Sequence, residues 1–248
     1  MKISIITVVY NNEKTIQDAM HSVFSQTYKN IEYIIIDGGS KDKTVELINN
    51  YNNQLGYFVS EKDKGLYDAM NKGIRAATGE IIGILNSDDL YEDNTVIEDV
   101  MSFFNADADL DILYGDLVYV KSDNVQKVVR NWKSKKYYNN FFENGNVPPH
   151  PSLFVRSSVY KSTGLFDLDF KLAADYELML RMFKKNNFKA KYFNRLIVKM
   201  RLGGATNQSI SNIINQNKEI LRAWKKNSLK APYKLMPLRV IKRLFQFV

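Results

Sequence analysis

Through the first hundred residues, short uninterrupted apolar runs alternate with stretches in which apolar residues recur every three or four positions. Uninterrupted runs mark strands buried on both faces, whereas the longer period marks helices with one face on a core. The runs predict strands over 3–9, 33–37, 57–59 and 81–85. After the first, Ile16, Ala19, Met20, Val23 and Phe24 share one helix face, and Gln17, Asp18, His21, Ser22 and Ser25 fill the other. A second helix follows the Gly38-Gly39-Ser40 turn and carries Val45, Leu47 and Ile48. A third carries Leu66, Met70, Ile74 and Ala77, and a fourth is expected over 95–104 through Val96, Val100, Met101 and Phe104. This β-α-β-α-β-α-β order predicts an α/β fold with a mostly parallel, Rossmann-like sheet covered by helices.

Beyond residue 110 the pattern changes. Residues 111–114 predict a strand, and 117–121 with 125–130 predict a hairpin around Ser122-Asp123-Asn124. Residues 131–149, rich in aromatics and lysines and ending in Pro148-Pro149, are expected as a loop that closes over a ligand. A strand is expected over 150–155 and helices over 172–183 and 210–224, the last amphipathic through Ile210, Ile213, Ile214, Asn217, Ile220, Leu221 and Trp224. A chain of 248 residues, 45% hydrophobic with five prolines, suits one substantial core. The expected organisation is one domain over 1–217, with a nucleotide-binding half (1–105) and an acceptor and catalytic half (106–217), followed by a helical tail (218–248).

The formal charge of +8 lies entirely in that tail, because nine Lys or Arg and only Glu219 follow residue 217 while the body carries 26 of each sign. Nucleic acid is therefore not an expected partner. In the tail, Leu235, Leu238, Ile241, Leu244, Phe245 and Val248 recur near helical spacing between Lys234, Arg239, Lys242 and Arg243, with the regular part expected from about Leu238, after Pro232 and Pro237. Two readings stay open: a helix docked on the body or on a second subunit, and a peripheral contact of 229–248 with an anionic membrane. No apolar run approaches the roughly 20 residues of a membrane span. The N-terminal run is too short for a signal peptide, so the expected location is the cytoplasm, at the inner face of the cytoplasmic membrane. With no cysteine, disulfides and thiolate metal sites are excluded.

In an open α/β sheet, ligands bind beyond the carboxyl ends of the strands. Four strands end in polar clusters: Thr7 to Asn12, Asp37-Gly38-Gly39-Ser40, Ser60 to Gly65, and Asn86-Ser87-Asp88-Asp89. Each alone reads first as a helix cap or a turn; together, at successive strand ends, they read as a site. No Gly-x-Gly-x-x-Gly follows the first strand and no Gly-Lys-Ser/Thr occurs, so phosphates need another partner. Adjacent carboxylates Asp88 and Asp89 are hard oxygen ligands suited to Mn²⁺ or Mg²⁺, which would bridge a diphosphate.

The order Thr7-Val8-Val9-Tyr10-Asn11, then Ile36 to Thr44, then Gly79 to Asp89 resembles the family-2 glycosyltransferases with the A-type nucleotide-sugar fold, and the likeness runs from Lys2 to about Gly204. The resemblance implies an inverting, metal-dependent hexosyl- or N-acetylhexosaminyltransferase. Its donor would be a nucleotide-sugar, a UDP-sugar in the first instance, and its acceptor a glycan or lipid-linked sugar of cell-surface polysaccharide such as lipopolysaccharide or capsule. It further implies base and ribose contacts at Thr7, Tyr10, Asn11, Asp37 and Asp63, with Asn86 and Ser87 beside the donor. The metal falls on Asp88, or on Asp89, because Asn86 replaces the first acid of the family's Asp-x-Asp. The general base falls on Asp175 in Ala173-Ala174-Asp175-Tyr176-Glu177, where the family's neighbouring Glu is Ala174. Arg201, in Met200 to Asn207, and alternatively Lys72 are placed at the leaving diphosphate. His150 is either a structural histidine or a contact to acceptor, metal or diphosphate. The competing function is a catalytically weak nucleotide-sugar-binding assembly protein, motivated by Asn86 and Ala174.

Overall fold

The computed structural model describes residues 1–203 and 210–246, with only the backbone for Ile210, Arg243 and Leu244. Gly204 to Asn207 and Val248, named above, lie outside the described residues. Strands β1 (Ile3–Val9), β2 (Ile31–Asp37), β3 (Tyr57–Ser60) and β4 (Ile81–Ile84) pair in parallel in the order β3-β2-β1-β4. Between them run α1 (Ile16–Phe24), α2 (Thr44–Asn49) and α3 (Leu66–Ala76). Successive strand side chains face opposite ways, so each strand feeds two cores. Ile6, Val8, Ile34, Ile36, Ile82 and Ile84 pack on one side with Met70 and Ile74 of α3. Ile3, Ile5, Val9, Tyr33, Ile35 and Ile81 pack on the other with Ile16, Met20 and Val23 of α1 and with α4 (Val96–Ala106). Gly73 lets α3 sit on β1, since an added methyl there would lie 2.4 Å from Ile6 Cγ2.

At the amino edge of the sheet, Glu32 of β2 accepts hydrogen bonds from Lys2 Nζ, Ser4 Oγ of β1, and both the backbone and hydroxyl of Thr78 ahead of β4. Burial works against its charge, but these donors win and hold its carboxyl at about 2. The opposite, carboxyl edge is left to polar loops.

The sheet continues through antiparallel β8 (Leu153–Arg156) to β6 (Ile112–Val120), which pairs in parallel with β9 (Ala190–Arg201); β9 carries the two-residue β5 (Leu90–Tyr91) on its far side. Strand β7 (Val128–Trp132) forms the expected hairpin with β6, beginning three residues later than predicted. The separate strands expected over 111–114 and 117–121 are one strand. Its register against β9 slips around Gly115 and Asp116, where a side chain at 115 would strike Ile197 and the Arg195 carbonyl, so the apparent break is an irregularity and not an end. Residues 150–152 form a 3₁₀ turn instead of the start of a strand, because Pro151 has no N–H for the ladder.

Helices α5 (Ser157–Thr163) and α6 (Ala174–Leu180) follow, and α6 widens into a π-turn over Arg181–Lys185 instead of continuing as α-helix. The 131–149 segment is pinned to the core by fully buried Phe141 and Phe142 and by Tyr137 Oη donating to the Phe183 carbonyl. Helix α7 (Ile210–Lys226) buries Ile220, Ala223 and Trp224 against α6, so the boundary expected after Asn217 falls inside a helix. Helix α8 (Leu235–Leu244) docks through Leu235, with Arg239 over the Tyr176 ring at 5.0 Å and Lys242 on Asn146.

Candidate active site

The carboxyl ends of β1 to β3 bring their polar loops together at one edge of the sheet. Asp37 is fully buried and accepts four hydrogen bonds, from the Gly39 and Ser40 amides and the Ser40 and Ser60 hydroxyls, which fixes the turn after β2. Asn11, in the left-handed region at φ 47° that Asn tolerates, ties the end of β1 to that turn through Ser40 Oγ (2.7 Å) and the Lys41 amide (2.8 Å). Over the turn, Tyr10 lies 59% exposed, and a methyl on Gly38 would fall 2.5 Å from Asp63 Oδ2 and 3.4 Å from the Tyr10 ring. Tyr10 and Asp63 thus close directly over Gly38, bringing an aromatic ring and a carboxylate against a backbone that has no room for a side chain. Thr7 is not brought to this surface: it is fully buried and accepts from Tyr33 Oη at 3.0 Å. Lys72 is tied to the loop after β3 by Glu61 (2.7 Å) and the Lys62 carbonyl (3.2 Å).

Beyond β4, Asn12 Nδ2 donates to Ser87 Oγ (2.9 Å) and Thr15 Oγ1 to the Ser87 carbonyl (3.0 Å), so the loop after β1 holds the acidic loop. Asp89 is fully buried; Asn86 Nδ2 donates to its Oδ2 at 2.8 Å, while its Oδ1 has no partner. Burial and then the neighbouring Asp88 charge push the Asp89 carboxyl well up. Burial also pushes Asp88 up, with Arg201 pulling the other way. Arg201 arrives from the end of β9, donates to the Asp88 carbonyl (2.9 Å) and pairs with Asp18 of α1 (2.5 Å). A cation fits here: two hard oxygen donors stand side by side, one carboxylate oxygen is orphaned, and Asp88 is the more open of the two. Among the described residues no group of three or more acids or histidines offers a full ligand set, so substrate oxygens would have to complete the shell.

Asp175, the second residue of α6, accepts a hydrogen bond from Tyr67 Oη of α3 at 3.2 Å. Burial and the Asp175 charge push the Tyr67 hydroxyl well up, so it stays a donor. Tyr67 stacks on Phe166 (5.5 Å), and His150 packs edge-on to the same ring (5.4 Å). Buried His150 is driven toward its neutral form by desolvation, with the Asp175 charge opposing. Asn71 fixes Phe166 by exchanging two backbone hydrogen bonds with it, both 2.9 Å. The structure therefore joins Asp175 and His150 through Tyr67 and Phe166, at the same sheet edge as the acid pair. Thr15, Asp18 and Tyr67 were not read as site residues, and Asn12 was read only as the end of the first polar cluster, with no role of its own. Asn12, Thr15 and Asp18 follow the first strand end and were within reach of that argument; Tyr67 meets Asp175 across 108 positions and left no local signal.

A family model described as "Glycosyl transferase family 2" matches residues 4–162. An uncharacterized glycosyltransferase of Mycobacterium tuberculosis is 34% identical over 182 residues, covering 72% of this chain and 68% of the relative. Among solved structures, S. aureus TarS 1-349 in complex with UDP shares the fold at a TM-score of 0.70 and 19% identity, over 96% of this chain and 68% of that one; the same protein is also solved with UDP-GlcNAc. The mannosyltransferase PcManGT from Pyrobaculum calidifontis, in complex with GDP-Man and Mn²⁺, matches at 0.67 and 17% identity over 98% and 69%.

The raised carboxyls fix a pH dependence. The folded state holds these protons more tightly than the unfolded chain, so their contribution is intact below the ordinary carboxylate pKa and is lost as pH rises through the folded values. Asp89→Asn should therefore raise the melting temperature of metal-free protein by about 2–4 °C near pH 8 and by progressively less toward pH 5. Differential scanning fluorimetry over that range checks it, and a pH-independent difference or a loss at pH 8 contradicts it.

Proposed function

The chain belongs to glycosyl transferase family 2, and from that premise we propose an inverting enzyme that transfers a hexosyl or N-acetylhexosaminyl group from a UDP-sugar to a glycan or lipid-linked acceptor of cell-surface polysaccharide. The observation that carries the reading is the pairing, at one sheet edge, of a buried carboxylate pair holding an orphaned oxygen with a separate carboxylate, Asp175, kept in place by Tyr67. The first suits a bridged diphosphate; the second suits proton removal.

In this reading the nucleoside lies against Tyr10 and Asp63, with Asn11 and Asp37 fixing the turn beneath it and Ser87 beside the diphosphate. Asp88 is the cation ligand, with Asp89 behind it fixing the loop. Mn²⁺ or Mg²⁺ held there would neutralise charge on the diphosphate. The acceptor hydroxyl oxygen attacks the anomeric carbon as the bond from that carbon to the β-phosphate oxygen breaks; the nucleoside diphosphate departs with the electron pair and Asp175 takes the hydroxyl proton. Attack opposite the leaving group inverts the anomeric centre. Arg201 adds positive charge beside the acid pair, and neutral His150 borders the acceptor side of Asp175.

The two C-terminal helices support work at a membrane. Ile214, Leu221, Tyr233, Val240, Ile241 and Phe245 are exposed, as are Lys218, Lys225, Lys230 and Lys234, while Glu219 is turned onto the body. Apolar side chains set among unopposed lysines suit an anionic leaflet.

Asp175→Asn should leave donor binding intact and lower turnover roughly a hundredfold or more, because shape is kept and the base is lost. Donor binding is read as thermal stabilisation by UDP-GlcNAc with Mn²⁺, and turnover as UDP release. Near-normal turnover sinks the assignment; binding with no turnover in the wild type favours the assembly-protein reading. For the membrane, Tyr233→Glu with Phe245→Glu should lower co-sedimentation with phosphatidylglycerol vesicles at low salt by about tenfold or more without changing the melting temperature. Equal sedimentation of variant and wild type contradicts it.

A further inference from the structure

Helix α7 grips the segment that leads into α6. Along one of its faces, Gln216 Nε2 donates to the Leu172 carbonyl (3.3 Å), and Arg222 donates to the Asp169 carbonyl (2.7 Å) with its guanidinium 4.2 Å over the Phe170 ring. One turn on, Lys226 pairs with Asp167 and Asp169. Glu219 stands in the middle of this face. Its Oε1 accepts the backbone N–H of Lys171 (2.9 Å), and its Oε2 accepts those of Leu172 (2.8 Å) and Ala173 (2.9 Å).

These amides come immediately before α6, whose second residue is Asp175. Backbone donors entering a helix have no carbonyl partner inside it and need one from elsewhere. No local side chain supplies it, since Ala173 occupies the capping position and Ala174 follows, both fully buried. The acceptor comes from 46 to 48 positions away, as a carboxylate whose two oxygens are taken up by three backbone donors. Such charge-assisted bonds are short and directional and leave the segment little freedom. Tyr67 holds the Asp175 side chain; Glu219 holds the backbone on which it is mounted.

We propose that Glu219 is a positioning residue for Asp175, fixing the carboxylate at the distance and angle from which it takes the acceptor proton. The proposal rests on Asp175 being the general base. Small misplacements of reacting groups are costly, a shift of about 1 Å being worth up to roughly a hundredfold in rate. Glu219→Ala should accordingly lower kcat by about tenfold to a hundredfold and leave the donor KM within about twofold. Glu219→Gln, which keeps one oxygen for the Leu172 and Ala173 amides, should recover most of the loss.

The test is a double-mutant cycle on the full chain with Mn²⁺, following UDP release from UDP-GlcNAc with water as acceptor, for wild type, Glu219→Ala, Glu219→Gln, Asp175→Asn and the double variant Glu219→Ala/Asp175→Asn. Hydrogen exchange of peptides covering 167–177 is measured alongside. If Glu219 acts through Asp175, the double variant is no slower than Asp175→Asn alone, and exchange over 167–177 quickens in Glu219→Ala while β1 and β4 stay protected. Multiplying losses in the double variant, or wild-type exchange over 167–177, overturn the proposal whatever the donor turnover. Normal turnover by Asp175→Asn overturns the base assignment instead, and is told apart because Glu219→Ala then has no base to act through.

Discussion

At the end of β4 the Asp89 carboxylate is fully withdrawn from water with half-buried Asp88 beside it, and the carboxyl edge of the sheet is organised around them. Removing a charge from water costs several kcal/mol even after relaxation, and a like charge beside it adds to that. The offsetting contacts are the Asn86 amide on Asp89 and the charge of Arg201 from the end of β9, itself held by Asp18 of α1, while Asn12 and Thr15 brace the loop at Ser87. These contacts leave Asp89 Oδ1 unpartnered. An arrangement of this kind would relax by taking up a proton or a cation.

The second half of the chain answers that pair with a carboxylate under different control. Asp175 is bonded by a tyrosine that stays protonated, next to a histidine that burial keeps neutral. The segment ahead of Asp175 is bonded by Glu219 of α7, so a helix whose last nine residues were expected to belong to a separate tail is packed on the body. Trp224 Nε1 donates to Tyr176 Oη at 2.9 Å and Arg239 covers the same ring, which packs both C-terminal helices around the residue after Asp175. The basic tail is therefore docked through part of its charge and presents aromatic and aliphatic side chains outward.

The first half was legible because buried parallel strands are written as runs: β1 falls on its expected bounds, and β2 to β4 differ by one or two residues at an end. The long β9 was missed because AKYFNRLIVKMR interleaves charged and apolar residues, as its mostly half-buried positions permit, with no run or clean alternation to mark it. The polar clusters at Asp37, Asp63, Asp88 and Asp89 were legible because they follow strand ends, while Arg201, expected at a leaving diphosphate from motif order alone, lies against the Asp88 carbonyl. Tertiary pairings could not be read. Tyr67 with Asp175, Asn71 with Phe166, and Glu219 with residues 171–173 join positions far apart in sequence whose identities carry no local periodicity. Thr7 shows the converse, a residue in a recognisable motif whose side chain points into the core.

We propose that the acid pair is a cation site serving a diphosphate whose nucleoside lies against Tyr10 and Asp63. Diffraction at the manganese absorption edge from crystals grown with UDP and Mn²⁺ tests it most directly. One anomalous peak is expected within about 2.0–2.3 Å of an Asp88 carboxylate oxygen and of diphosphate oxygens, with the uracil against Tyr10 and Asp63. A diphosphate bound without manganese at Asp88 or Asp89, or a nucleoside lodged elsewhere on the sheet edge, would contradict it.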